Sequence, residues 1–448
     1  MLDRSFSRPL PTYLAKCLNR CSNEPIRSEN LAAMGDNATV DDNKNPVAGR
    51  LMSLDALRGF DMFWIIGGGT FVRQLDEVVN RGGVQRSAWI HILAAQCEHK
   101  NWQGMAFEDL IFPLFVFIAG VSIVFSLTKE IQLHGKRGAC WRILRRATLL
   151  FALGVFYNGG FAHPWPDVRL TGVLQRIALC YLGAAAVFCT LRPRAIMATV
   201  VLLLAGYWAL LTFVPFPDIK LDKATVEQAA RQLHSNDLAT ILHNTQKTTR
   251  GSYEKGLNLA NYLDARYLPG RKYDRYWCPE GLLSTLPAIA TCLLGVLAGM
   301  LLRNSQCSER KKVLWLAALG IAGVLLGFLW GLQFPVIKKI WTSSYVLVAG
   351  GYSALLLAAF YCIVDICKLR VWCRPLVWIG ANSIAIYLLS PLLDFREAAA
   401  RLAGGDVRQF CDAHLAPGAG ELVLIAVSYV LIFALMGFLY RRKIFVRL

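Results

Sequence analysis

Apolar stretches of about twenty residues recur along this chain, and that length is what most restricts its fold. Residues 143–157 (ILRRATLLFALGVFY), 195–214 (AIMATVVLLLAGYWALLTFV), 313–332 (VLWLAALGIAGVLLGFLWGL) and 421–440 (ELVLIAVSYVLIFALMGFLY) are typical. A helix of about 20 residues crosses the roughly 30 Å of bilayer hydrocarbon. Inside that hydrocarbon every backbone N–H must be satisfied within the structure, so repeated apolar segments of this length mean helices. The composition agrees: 55% of the residues are hydrophobic and 17% charged, against about 25% charged in a soluble domain. The expected fold is therefore an all-α, polytopic transmembrane helical bundle.

Ten spans are predicted, at about 54–74, 106–128, 143–161, 170–191, 195–214, 282–302, 313–332, 344–366, 375–393 and 421–440. The first is the weakest, because Asp55, Arg58 and Asp61 sit at its start. With the amino terminus inside, the inner connections carry Lys129, Lys136, Arg137, Arg142, Arg145 and Arg146, then Arg192 and Arg194, then Arg303, Arg310, Lys311 and Lys312, then Lys368, Arg370 and Arg374. The tail adds Arg441, Arg442, Lys443 and Arg447. The short outer connections are poorer, with His163 and Arg169, Lys338 and Lys339, and Arg396 and Arg401. Basic residues collect on the cytoplasmic side of membrane proteins, so both termini are expected in the cytoplasm. The net charge of +18 is accounted for by these loops. No basic stripe interleaved with aromatics points to a nucleic acid, and none is expected as a partner.

Residues 1–50 are polar and lack the apolar core of a signal peptide. They read as a disordered cytoplasmic tail, within which Met34 is an alternative start, and residues 51–448 as the membrane domain. Two outer connections are long: 75–105, with Trp89, Cys97, His99 and Trp102, and about 215–281, with Tyr267, Tyr273, Tyr276 and Trp277. Long loops on a rigid scaffold often build binding sites. No CxxC is present, and Cys17 and Cys21 lack a second pair at zinc spacing, so no metal site is expected. A disulfide among Cys97, Cys278 and Cys411 is left open.

The chemistry-bearing residues cluster in a few motifs. In 97–120, CEHKNWQGMAFEDLIFPLFVFIAG, His99 precedes an apolar span and Glu108 and Asp109 stand at its mouth. Carboxylates in a first turn complement the helix dipole, yet ionisable groups at a membrane are functional candidates by default. An imidazole oriented by Asp109 could serve as base or nucleophile near neutral pH. In 53–64, SLDALRGFDMFW, Asp55 and Arg58 share a helix face and can pair. In 172–181, GVLQRIALCY, Gln175 and Arg176 enter an apolar span, where an arginine either snorkels or meets an anion. Glu280 heads the span in 278–295, and Asn382 and Ser383 lie within the apolar stretch 378–391, where amides commonly join helices. No Walker lysine loop, GxSxG or HExxH occurs, and the Gly67–Gly69 triplet lies at the end of an apolar span rather than after a strand, which points to close helix packing or a helix break.

Taken together, SLDALRGFDMFW, EHKNWQGMAFEDLIFPLFVFIAG, GVLQRIALCY, PEGLLSTLPAIATCLLGVLAG (279–299), WTSSYVLVAGG (341–351), ANSIAIY (381–387) and RRKIF (441–445) resemble the heparan-α-glucosaminide N-acetyltransferase family and its bacterial relatives. The resemblance runs from about residue 51 to the end. It implies a membrane acetyltransferase moving an acetyl group from cytoplasmic acetyl-CoA to the amine of a glucosamine-type sugar across the membrane. It implies His99 as the active-site histidine and Asp109 as the acid of the following motif. Arg58, Arg176 and Gln175 are the candidates for binding acetyl-CoA, with Arg176 placed by topology where it could instead serve the acceptor. Trp102, Glu280 and Asn382 are the candidates for binding the acceptor sugar. Membrane lipid is an expected partner, a homodimer is left open, and a bacterial inner membrane is the expected location. Some relatives are assigned to amino-sugar uptake, so a transporter without acyl transfer is the alternative.

Overall fold

The computed structural model describes residues 51–81, 86–162, 164–235 and 237–446. The expectations for the 1–50 tail, Met34, Cys17, Cys21, His163 and Arg447 lie outside the described residues.

The described residues are mostly helical. Helix α1 (Met52–Phe63) continues through a π-helical turn (Trp64–Gly68) into α2 (Gly69–Val79), and α3 (Ala88–Gln96) follows. The long α4 (Phe107–Tyr157) leads to α5 (Val173–Thr190) and α6 (Pro193–Phe213). The 215–281 connection folds as a cap with α7 (Lys223–Leu233), α8 (Leu238–Asn244), α9 (Leu259–Tyr267) and the antiparallel pair β1 (Phe216–Pro217) and β2 (Thr248–Thr249). The bundle resumes with α10 (Thr285–Arg303), α11 (Glu309–Gly331) and α12 (Ser343–Phe360), the last running into a π-helical turn (Tyr361–Ile366). Then come α13 (Arg374–Ala381), α14 (Ser383–Leu393), α15 (Phe395–Ala403), α16 (Asp406–His414) and α17 (Ala419–Arg441).

Seven of these helices are long and apolar enough to cross a membrane, or eight if α13 and α14, bent by 82° at Asn382, form one span. Ten spans were expected, and the difference has two physical sources. The π-helical turn, where Gly67 takes φ 126°, interrupts the first expected span into shorter pieces. The second and third expected spans fall within one 51-residue helical stretch, counted once, which breaks at Gly135 in the connection expected between them. Gly135 has φ 67° and ψ −175°, a conformation that needs no Cβ. The chain reverses there. Arg142 bonds Glu130 twelve positions earlier, whereas a straight helix would separate them by about 18 Å.

Small residues let the helices pack closely. Gly120 of α4 lies against the carbonyl of Cys292, and Gly295 of α10 against that of Phe117; a Cβ at either glycine would fall 1.9 Å from that oxygen. Gly299, one GxxxG step on, meets Val121 in the same way. This is the close-approach packing on which helix pairs in lipid rely. It fixes α4 against α10, and the start of α4 carries the central residues of the site.

Candidate active site

Asp109 is the third residue of α4, and its carboxylate is 1% exposed. One oxygen accepts the backbone N–H groups of Ala106 (3.1 Å) and Lys100 (3.2 Å). The first of these bonds is half of a capping box, so the bland reading of an acid in a first turn is correct here. The other oxygen lies 3.0 Å from Nδ1 of His99 and 3.3 Å from Nζ of Lys338. The same carboxylate therefore caps the helix and also faces an imidazole and an ammonium. The His99 side chain is 58% exposed, so a buried carboxylate presents an open imidazole. The Oε2 of Glu108 is buried beside Gly69 and has no hydrogen-bond partner among the described residues.

Pro113 explains how this corner is tied to the bundle. Proline lacks the N–H that would bond the carbonyl four residues back, and that carbonyl belongs to Asp109. The hydroxyl of Tyr345, from α12, donates to it instead at 2.7 Å. Lys338 is brought in by backbone pairing. Gly104 N–H donates to the Val336 carbonyl at 2.9 Å and Gln103 bridges Ile337, so the 98–106 segment runs beside the 333–341 connection. Burial pushes the Lys338 ammonium below the ordinary lysine value, while Asp109 pulls it back up.

A second group surrounds Glu280. Its carboxylate is 3.5 Å from Nη2 of Arg169 and 3.5 Å from the Cys278 thiol. The turn carrying it is held from beneath. Asp264 accepts the N–H groups of Leu282 (2.9 Å) and Cys278 (3.3 Å). Arg176 donates to the Gly281 carbonyl at 3.3 Å and to Ser284, and stacks over Trp341 at 5.0 Å. Arg176 is 2% exposed, and its Nε and Nη1 have no hydrogen-bond partner among the described residues. Neighbouring Gln175 likewise leaves Nε2 unpaired. Trp102 donates to the Tyr253 carbonyl at 2.7 Å and meets Trp277 edge-on, pinning the His99 segment to the cap. Cys97, Cys278 and Cys411 are free thiols.

Burial raises Asp264 from the ordinary 3.8 to about 6. An acid with a raised folded-state value binds more protons folded than unfolded between those two values. Its contribution is therefore fully present below about pH 4 and is lost as pH rises through about 6. Thermal melting of detergent-solubilised protein should show this fall between pH 4 and 6, and Asp264→Asn should flatten it. An unchanged profile in Asp264→Asn would assign the fall to other groups.

At the other end of the bundle lies a cavity of about 860 Å³. It is lined by Arg58, Lys129, Arg142, Arg146 and Arg303 together with apolar Phe115, Ile118 and Leu174. Arg58 bonds Asp55 at 3.2 Å and Ser122 at 2.7 Å. Twenty residues of α4 separate Asp109 from Lys129, about 30 Å of helix rise. Phe115 is six residues from Asp109, about 9 Å. Asn382 also lies at this end. It donates to the Ile444 carbonyl and accepts from Val446 N–H, both at 3.0 Å.

The structure thus brings His99 and Asp109 together as the sequence suggests, and sets Arg176 against the turn that carries Glu280, while the Gln175 side chain lies beside Asn158. It separates Arg58 from Arg176 and Gln175, the three residues grouped for the donor: Arg58 lines the cavity and the other two do not. Asn382 was grouped with the acceptor residues, but its amide is spent on the carboxy-terminal segment. Lys338, Tyr345 and the cavity's Arg142, Arg146 and Arg303 are not among the site residues that the sequence suggests. Pro113, four residues after Asp109, was the signal for Tyr345.

No family model matches the chain. It is 27% identical to mouse heparan-alpha-glucosaminide N-acetyltransferase over 426 residues, covering 85% of this chain and 58% of that one. The human enzyme of the same name is also 27% identical, over 390 residues, 76% of this chain and 52% of that one. The chain is a distant relative of these enzymes. It spans about half the length of the curated relatives it matches. The aligned part is long enough to include both polar ends of the bundle.

Proposed function

We propose that this chain is a membrane-embedded acetyltransferase that passes an acetyl group from acetyl-CoA to the amine of a glucosamine-type sugar. The observation that carries the reading is the His99–Asp109 pair, an exposed imidazole backed by a buried carboxylate at 3.0 Å. The names of the two relatives support the same chemistry. The amine of such a sugar is protonated near neutral pH and cannot attack as an ammonium. His99 takes that proton, or accepts the acetyl group first. In the direct route the amine bonds the thioester carbonyl carbon, the C–S bond breaks, and CoA leaves as the thiol. In the covalent route Nε2 of His99 bonds that carbon as the C–S bond breaks and CoA leaves, and the amine then bonds the acetyl carbon as the C–Nε2 bond breaks. Glu280 is a carboxylate suited to hold the acceptor's ammonium. The basic cavity suits the donor, because phosphates favour guanidinium forks. The basic end faces the cytoplasm in this reading, where acetyl-CoA is made, and the His99 end faces out.

The direct test incubates purified protein with acetyl-CoA and glucosamine and measures N-acetylglucosamine by mass spectrometry. Arg142→Ala with Arg146→Ala should weaken acetyl-CoA binding about tenfold or more, by removing two charge-assisted contacts. Calorimetry would check this, and unchanged affinity would move the donor elsewhere. The 82° break at Asn382 favours one second reading, since broken helices mark many transporters. Glucosamine uptake into proteoliposomes without acetylation would support that reading.

A further inference from the structure

We propose that Lys338 is a positioning residue that sets the tautomer of His99, and so switches the imidazole between an idle and a reactive form. Its kinetic consequence rests on the acyl-transfer reading; its effect on His99 chemistry does not.

The argument is a count of donors and acceptors at one nitrogen. Nδ1 of His99 lies 3.0 Å from Asp109 Oδ1 and 3.2 Å from Lys338 Nζ. A carboxylate only accepts and an ammonium only donates, and a neutral imidazole carries its proton on one nitrogen. When Lys338 is an ammonium it donates to both the Nδ1 lone pair and Oδ1, which is 3.3 Å away. The imidazole proton then sits on Nε2, which becomes a donor and can neither take a proton nor attack a carbonyl. When Lys338 is neutral, Nδ1 keeps the proton and donates it to Asp109. Nε2 then presents a lone pair on the open side of the ring.

The surroundings allow Lys338 to change charge. Its side chain is 21% exposed and lies beside the buried carboxylate. The charged groups facing it are Asp109 and Glu108 from α4, Glu280 from the turn before α10, and His99 itself. Desolvation lowers its ammonium and the three carboxylates oppose that. Loss of the Lys338 proton with rising pH therefore converts His99 to its reactive tautomer.

Two readouts test this on the intact protein in detergent. The first is the rate at which diethyl pyrocarbonate modifies His99, followed by peptide mass spectrometry without substrates. The second is the pH profile of acetyl transfer. On the low-pH side of the wild-type transition, Lys338→Met should raise the modification rate by about threefold or more, and it should remove the upper rising limb of the transfer profile. Lys338→Arg keeps a fixed charge, so on the high-pH side of that transition it should slow modification by a similar factor and lower transfer about tenfold or more. Lys339→Met, next in the chain, should change neither. If Lys338→Met and Lys338→Arg both modify at the wild-type rate, the proposal is wrong. His99→Ala separates the two layers: a variant that still transfers acetyl removes His99 from the reaction, while the modification rates decide Lys338 on their own.

Discussion

Replacing His99 by alanine should reduce acetyl transfer by about 10²- to 10⁴-fold, the usual loss when a general base is removed. Folding should survive, because the side chain is more than half exposed and its polar contacts are to Asp109 and Lys338. A fluorescence-detected melt within a few degrees of wild type, together with unchanged acetyl-CoA affinity, would localise the loss to chemistry. A variant within about threefold of the wild-type rate would exclude the base and nucleophile roles alike. The two roles part in a second measurement. Labelled acetyl-CoA without acceptor should leave an acetyl group on His99 if the route is covalent, and none if transfer is direct.

A large effect on the fold should come from Gly295→Leu. A Cβ at Gly295 would stand 1.9 Å from the Phe117 carbonyl, and the partner glycine, Gly120, meets Cys292 at the same 1.9 Å. Backbone cannot give way as a flexible side chain does, so α4 and α10 would have to separate. Overpacking an ordinary core costs about 1–3 kcal/mol; a backbone clash in a glycine seam should exceed that. Size-exclusion chromatography of the solubilised variant should show mostly aggregate. A monodisperse Gly295→Leu protein with wild-type melting would mean that the two helices are not packed as described.

The sequence made the helical class legible because apolar length is a local property. It made the His99–Asp109 pair legible because those residues are ten apart and joined by one short segment. What it hid was of two kinds. The form of the breaks was hidden, since helix continues on both sides of a single left-handed Gly135, and Gly67 sits in a π-helical turn. Contacts across long sequence distances were hidden too. Lys338 reaches His99 from 239 residues away, and Tyr345 reaches Asp109 from 236. Arg176 and Gln175 resemble donor ligands in sequence because an arginine in an apolar span invites an anion. In the fold Arg176 instead braces the turn that carries Glu280. Asn382, read as a polar residue facing a ligand, satisfies backbone groups of the chain's last described segment.

The bond from Tyr345 to the Asp109 carbonyl has a mechanical meaning. Pro113 leaves that oxygen without a helical partner, and one hydroxyl from another helix completes it. The corner that aims the imidazole is therefore held by α12 as much as by α4, and the two helices cannot slide past each other without turning His99. Misalignment of about 1 Å is enough to cost an enzyme two orders of magnitude. Substitutions that loosen α12 should thus erode turnover while the protein still melts normally, and a survey for damaging changes that scored only folding would pass over them.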